Sequence, residues 1–353
     1  MTWLALCDFS NSFFSPLGIS HPSAVGGSKP SDEQLLAKGS LVIEISTLEE
    51  NSNALELINY YSVSDWGTQL KISLTQNDAV ILRHIQGSRQ ITLETGEGAL
   101  VRTQPSRIIF SWDAPQRWGQ LTIENLDDGS VHTKDVSDPL PVPVVDVHHM
   151  TMSPESTRAV SEVLFFTFSD QIEEHGLIPG IVASSPLETP NGPELVQNLR
   201  VGDLVSTLDS GPQPIRCLMV RDVPAHGHYQ PLRLRAPYFE LNQDIMVARN
   251  LRLLVEGDMV EYLFGEEEVL INAEHLQDTY SVLPETRLKT IRYYQLLFDR
   301  PEILNVAGSS VESLFRPQPS GEEFTDGLPV HTEPSRPVLR PFEAYTLKSM
   351  RAG

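Results

Sequence analysis

Few side chains in this sequence are spaced so that they could act together, and the spacing decides which chemistry each allows. Cys7 and Cys217 are the only two thiols. So far apart in the chain, they make no CxxC redox pair, zinc ribbon or disulfide framework. Cys217 lies in the apolar run Ile215 to Val220 and reads as a small buried hydrophobe. His226-x-His228 brings two imidazoles together, but Pro224, Gly227 and Pro231 indicate a loop with solvated histidines, and two ligands without a third make no metal site. Asp146 with His148-His149 reads the same way, in a linker. Glu266-Glu267-Glu268 is a solvated charge run without an EF-hand or nonapeptide calcium repeat. No metal and no cofactor is expected. Trp66, Trp112 and Trp118, with Tyr60 and Tyr61, are residue types that stack on sugars. Trp112 continues the alternation of Ile108 and Phe110 into a core, which leaves Trp118 as the exposed platform.

The elements that must position these groups are strands. Leu41, Ile43 and Ile45, then Leu70, Ile72 and Leu74, then Ile91 and Leu93 alternate with polar residues and are separated by Asn, Asp, Gly and Ser clusters. Period two of this kind marks antiparallel strands buried on one face. The segment 107–126 predicts a hairpin, with Ile108, Phe110 and Trp112 on the way in and Leu121 and Ile123 on the way out. Pro139 to Pro143 ends pairing, a helical turn follows near Ser153 to Val160, and Val163 to Phe168 returns as a strand. Short strands at this spacing with no helix between them predict a jelly-roll-like β-sandwich. A second all-β pattern begins after Gly176, from Leu199 to Val205 through Ile215 to Val220 to Val269 and Ile271. Residues 1–38 are read as a disordered arm, 39–174 as the sandwich, 175–317 as the second β domain and 318–353 as a Pro-rich tail, in which Phe342 to Leu347 is able to dock.

Composition narrows the function classes. The chain has 353 residues, 26 basic and 47 acidic, for a formal net charge of -21. Nucleic acid and anionic membrane surfaces demand surplus Lys and Arg, so neither is a partner to expect. No apolar run approaches the ~20 residues of a membrane span. Met1 to Phe14 carries Asp8 and no basic region, so it does not read as a Sec signal; a cytoplasmic protein, or one secreted by a leaderless route, is expected.

The second half holds an ordered series of motifs: Thr189-Pro190-x-Gly192, Leu199-Arg200-Val201-Gly202-Asp203-Leu204-Val205 and Gly211-Pro212-Gln213-Pro214-Ile215-Arg216. Glu261 to Gly265, Val269 to Ala273 and Tyr294 to Arg300 follow. The series resembles the Hedgehog/intein (Hint) domain, in the form found in bacterial, alphaproteobacterial proteins, over about Gly176 to Phe315. The resemblance implies a horseshoe of long curved strands with its first residue held at the centre. The sandwich is similar to concanavalin-type, laminin-G-like domains by strand pattern alone, which implies a glycan or a protein as its partner. Asp203 reads as a cap of the turn that Gly202 opens.

The resemblance also implies a self-processing centre. Its first residue, Cys or Ser, attacks the preceding carbonyl, and a mid-domain His polarises the scissile peptide and protonates its amine. Laid over this sequence, the nucleophile position falls on Gly180 and the His position on Leu251, with Gln295 and Pro301 where relatives often carry His. None of these groups can attack or move a proton, so the expected site is degenerate and the expected protein a non-catalytic binding or structural one. The alternatives are an autoprocessing module cutting near Pro179-Gly180, with Ser184 or Ser185 as a nucleophile in shifted register, and a glycan-binding protein acting through the sandwich. Ser184 and Ser185 also fit a turn in which small hydroxyls bond the backbone.

Overall fold

Strict alternation turns the first half into two facing sheets. The computed structural model describes residues 2–21, 34–49, 53–62, 67–176, 180–317 and 327–351, and the chain divides into the units Met1–Leu177 and Ile178–Gly353. In the first unit the strands are β1 (Trp3–Cys7), β2 (Ser12–Phe14), β3 (Leu35–Leu36), β4 (Lys38–Ile45), β5 (Leu55–Ser62), β6 (Thr68–Leu74) and β7 (Val80–Gln86). They continue with β8 (Arg89–Glu94), β9 (Ser106–Asp113), β10 (Trp118–Asn125), β11 (Val131–Ser137), β12 (Val142–Pro143), β13 (Thr157–Ala159) and β14 (Val163–Ser169). A seven-stranded sheet runs β11-β10-β9-β4-β14-β1-β2 and a five-stranded sheet β13-β5-β6-β7-β8. Leu41, Ile43, Ile108, Phe110, Trp112 and Phe166 of the first share one core with Ile58, Tyr60, Leu70, Ile72 and Leu82 of the second. This is the expected sandwich, and the hairpin falls at β9–β10 with Trp112 in the core, its indole N–H donating to the Leu36 carbonyl at 2.9 Å.

The arm expected over residues 1–38 is corrected where the structure describes it. β1 pairs with β14 on one side and β2 on the other, and all five of its residues are buried. Ser, Gly and Pro dominate the average composition of this stretch, but Trp3-Leu4-Ala5-Leu6-Cys7 is locally apolar and finds a sheet edge with unpaired backbone groups. The expected helical turn is also displaced. The helix is α1 (Val144–Met152), over residues read as a linker, and only a 3₁₀ turn occupies Pro154–Ser156.

The outward face of the seven-stranded sheet carries an ion triad. Glu44, Arg107 and Glu124 are cross-strand neighbours on β4, β9 and β10. Arg107 donates to Glu124 at 2.9 Å and to Glu44 at 3.1 Å, with all three side chains buried. The segment after β14 crosses this face: the Glu173 N–H donates to Ser40 Oγ and the Gly176 N–H to Glu124 Oε1, both at 2.8 Å.

In the second unit a six-stranded sheet runs Cys217–Pro224, Thr290–Leu297, Ile181–Val182, Ile245–Val247, Leu232–Leu234, Val282–Pro284. An eight-stranded sheet joins the segments between Pro186 and Pro214 to Ile303–Val306, Ser309–Glu312, Arg252–Glu256 and Glu268–Asn272. Gly202 takes a left-handed φ of 94° and Asp203 Oδ2 accepts the Arg200 N–H at 2.8 Å, which is the expected turn cap. The Pro-rich tail is better packed than its composition suggests. The Leu270 N–H donates to the Pro337 carbonyl and the Leu339 N–H to the Leu270 carbonyl, both at 2.8 Å, and Leu339, Ala344 and Leu347 enter the core. Phe342 and Tyr345 of the helix Pro341–Arg351 stay exposed.

Two stability predictions follow from buried ionisable groups. Arg107→Met leaves Glu44 and Glu124 buried without their cation, and urea denaturation should show a loss of about 3–5 kcal/mol. Burial holds His84 neutral in the fold, with its pKa pushed down to about 4 from 6.5. The unfolded chain takes up that proton first as pH falls, so His84 costs no stability above pH 6.5 and about 3 kcal/mol by pH 4. Denaturation curves of wild type and His84→Gln across this range should converge at neutral pH relative to their separation in acid.

Candidate functional site

The shortest strand of the second unit brings its site together. Ile181 pairs with Tyr294 on one side and Val247 on the other. That wedge fixes Gly180, whose N–H donates to the Tyr294 carbonyl at 3.1 Å and whose carbonyl accepts the Ala248 N–H at 2.8 Å. From Ala248 the chain turns back through Leu251, and Gln295 follows Tyr294 in its own strand. The three positions named by the sequence therefore converge. A Cβ placed on Gly180 would lie 2.6 Å from Leu251 Cδ1 and 2.7 Å from Gln295 Oε1.

The contents of this centre limit its chemistry. Gly180 has no left-handed φ, so what excludes a side chain there is space rather than backbone geometry. Leu251 is buried in the core of the unit. Gln295 Oε1 is buried without a hydrogen-bond partner, and an amide does not titrate at neutral pH. None of the three can act as nucleophile, acid or base. Of the neighbouring polar side chains, Tyr293 is bonded and held neutral and Arg249 is bonded through one nitrogen. Tyr293 donates its hydroxyl to the Tyr229 carbonyl at 2.9 Å, and burial pushes its phenol pKa up. Arg249 donates to Gln230 Oε1 at 3.1 Å. Pro301 lies in the turn between Thr290–Leu297 and Ile303–Val306.

The two serines differ. Ser184 is exposed. Ser185 is buried, and its Oγ has no hydrogen-bond partner. Its backbone makes the turn contacts instead, N–H to Val182 and carbonyl from Val196. The expectation that its hydroxyl bonds the backbone is thus corrected, and no base is bonded to that hydroxyl to activate it.

The remaining candidates are dispersed. His226 precedes the 3₁₀ turn Gly227–Tyr229 and His228 lies within it, and both are half-buried rather than solvated. Asp146, on α1, accepts the Tyr60 hydroxyl at 2.7 Å, and the His148 ring stands edge-on to Phe14. Burial, reinforced by Asp146, pushes the Tyr60 phenol pKa up. Glu268 pairs with Arg336, while Glu266 and Glu267 are exposed. Cys7 is buried in β1, and Cys217 is half-buried at the start of its strand. No group of three His, Cys, Asp or Glu among the described residues is placed to hold a metal. Trp118 is half-buried, so it is a poorer platform than expected; Tyr60 is core, Tyr61 is exposed, and Trp66 lies outside the described residues.

Sequence reasoning missed a cleft of about 720 Å³ in the second unit, rimmed by the exposed Tyr238 and Tyr280, whose rings are 5.5 Å apart. Its walls come from seven separate stretches of chain, between Leu208 and Lys348, so no local motif marks it.

Residues 179–318 match the family model described as Hint domain, and the second unit accordingly carries a Hint domain. Similar solved structures include the CBM40 of a Ruminococcus gnavus IT-sialidase bound to alpha2,3 sialyllactose, at 12% identity over 49% of this chain and 89% of that one, with a TM-score of 0.30. The MchDnaB-1 intein is similar at 13% identity over 38% of this chain and 99% of that one, with a TM-score of 0.26. A bacterial intein-like domain from Clostridium thermocellum is similar at 14% over 39% and 100%, with a TM-score of 0.27. A search of curated proteins finds no match.

The crowding at Gly180 predicts a measurable coupling. Gly180→Ala should destabilise the chain by about 1–3 kcal/mol through overpacking. In the Gly180→Ala/Leu251→Ala double variant the summed costs should fall short of additivity, because the truncated Leu251 makes room for the new methyl. Chemical denaturation of the four species checks this.

Proposed function

We propose that the second unit is a Hint scaffold whose self-processing centre is degenerate, and that the protein acts as a non-catalytic binding or structural protein. One observation supports this reading: a side chain at Gly180 would meet Leu251 and Gln295, and these are the positions that the resemblance reserves for the nucleophile, the imidazole and a further His. Self-cleavage requires an oxygen or sulfur on residue 180 to attack the carbonyl of the Pro179–Gly180 peptide, and then a proton for the departing amine. Glycine offers no attacking atom and leucine no proton. The autoprocessing alternative through Ser184 or Ser185 lacks a base bonded to Ser185, and Ser184 faces solvent.

A second reading, glycan binding through the sandwich, is favoured by the outward face of the five-stranded sheet. Asn59, Gln69 and Gln90 form a bonded amide layer there beside the exposed ring of Tyr61, Gln69 donating to Asn59, Asn59 to Glu56 and Gln90 to Thr92; the amide N–H and carbonyl capacity left over is suited to hydroxyls, and the ring to one face of a sugar. The net charge of -21 argues against nucleic acid as the partner. No helix among the described residues is long and apolar enough to cross a membrane.

Intact mass spectrometry with and without an added thiol tests the main reading. The wild-type mass should stay unchanged, and two pieces of about half the chain would overturn the degenerate assignment. In Gly180→Cys/Leu251→His/Gln295→His, thiol addition should produce those pieces, whereas Gly180→Cys alone should stay whole.

A further inference from the structure

Arginines in this acid-rich chain mostly sit against carboxylates: Arg102 on Asp78, Arg216 on Asp299, Arg292 on Asp222 and Arg336 on Glu268. Arg83 and Arg158 do not. Both are exposed, and neither forms an ion pair among the described residues. Arg83 donates to Gln90 Oε1 at 3.0 Å, and Arg158 acts on Glu56 only as a more distant charge.

Register puts these two in one line. Arg158 of β13 pairs with Asn59 of β5, Asn59 with Lys71 of β6, Lys71 with Arg83 of β7, and Arg83 with Thr92 of β8. The row faces away from the core, since Ile58, Tyr60, Ile72 and Leu82 beside it point inward. Lys71 directly opposite Arg83 is a like-charge pair, an arrangement that costs stability. Glu56, bonded to Lys71, offsets it only in part. The sheet thus keeps an unfavourable cationic row on the face of a chain whose net charge is -21.

The neighbouring rows limit what such a face can hold. On one side Tyr61, Gln69, Ile85 and Gln90 stand in register. On the other, Glu56, Ser73, Ile81 and Glu94 border an open hollow of about 580 Å³. Two carboxylates beside the cations oppose a continuous phosphate backbone but leave room for an isolated negative charge.

We propose that this face binds an acidic saccharide through its carboxylate, a refinement that rests on the glycan reading above. The Arg83 guanidinium presents paired N–H donors matched to a carboxylate, and the Lys71 ammonium adds charge at the same point. The donors and acceptors of Asn59, Gln69 and Gln90 that the bonds to Glu56, Arg83 and Thr92 and between Asn59 and Gln69 leave unused take sugar hydroxyls, and the Tyr61 ring takes the apolar face of the pyranose. Arg158, three strand spacings from Arg83 or roughly 14 Å, meets a second acidic residue of a longer chain.

The test displays the full chain on an array of oligosaccharides ending in uronic or sialic acids, each beside its carboxyl-reduced counterpart. Binding should be confined to the acidic forms, and should fall at least tenfold in Arg83→Gln and again as salt rises, while the melting temperature of the variant is no lower than that of the wild type, since the substitution relieves the like-charge pair. Equal binding of acidic and reduced forms, or unchanged binding by Arg83→Gln, overturns the carboxylate assignment and leaves the glycan reading standing. Binding to no glycan overturns both. Tyr61→Ala, which keeps every cation, should weaken binding of the acidic forms; an acidic peptide bound in preference to all saccharides would overturn the saccharide assignment.

Discussion

The ladder between Ile181 and its two neighbours, Tyr294 and Val247, is the contact on which the centre of the Hint unit depends. Two residues of strand have only a few hydrogen bonds to hold them, yet they sit between longer strands and are buried on both sides. Because the backbone of Gly180 is bonded to Tyr294 and Ala248, it cannot retreat from what the turn at Leu251 and the strand at Gln295 bring against it. The backbone would bring any residue at 180 to the same place, and the side chains met there decide whether chemistry follows.

The sandwich solves a different problem. β4 and β9 lie inside the seven-stranded sheet and are buried on both faces. The inward face is apolar, but the outward one holds Glu44, Arg107 and Glu124, a set that packs only because each guanidinium nitrogen used meets a carboxylate oxygen. Such triads are weak sources of stability compared with apolar side chains of equal volume, and costly when broken. The segment crossing that face is bonded to Ser40 and Glu124, so the polar face specifies where the chain leaves the sheet, a role that an apolar surface, indifferent to register, would fill less well.

How much of this was legible in the sequence depends on whether the signal is local. Alternation at Leu41, Ile43 and Ile45 and the hairpin around Asp113 are local and read correctly. The motif series in the second half located Gly180, Leu251 and Gln295, which lie far apart in the chain yet meet in space. β1 was hidden by averaging: a five-residue apolar strand disappears in the Ser, Gly and Pro of its surroundings. The tail was hidden for the opposite reason, since its prolines forbid ladder donation at their own positions but leave Leu339 free to bond Leu270. The cationic row of the five-stranded sheet has no local trace at all. Arg83 and Arg158 become neighbours in one row through the pairing of four strands, and pairing register is a property of the fold.

On the degenerate reading proposed above, a working centre would hold an imidazole that gains and loses a proton where Leu251 packs among apolar side chains. At 3% exposure the charged form of such a ring would lose most of its hydration, and the site would have to supply partners in return. Leu251 carries no such cost and adds apolar area to the same core. Stability and self-cleavage therefore make opposite demands on this position, as is common where function requires buried polar groups. The unbonded Oε1 of Gln295 is the remaining polar misfit: a buried acceptor without a donor costs on the order of 1–3 kcal/mol. Leu251 belongs to the core, whereas Gln295 sits in a strand where side chains alternate between the core and the face that Gly180 closes.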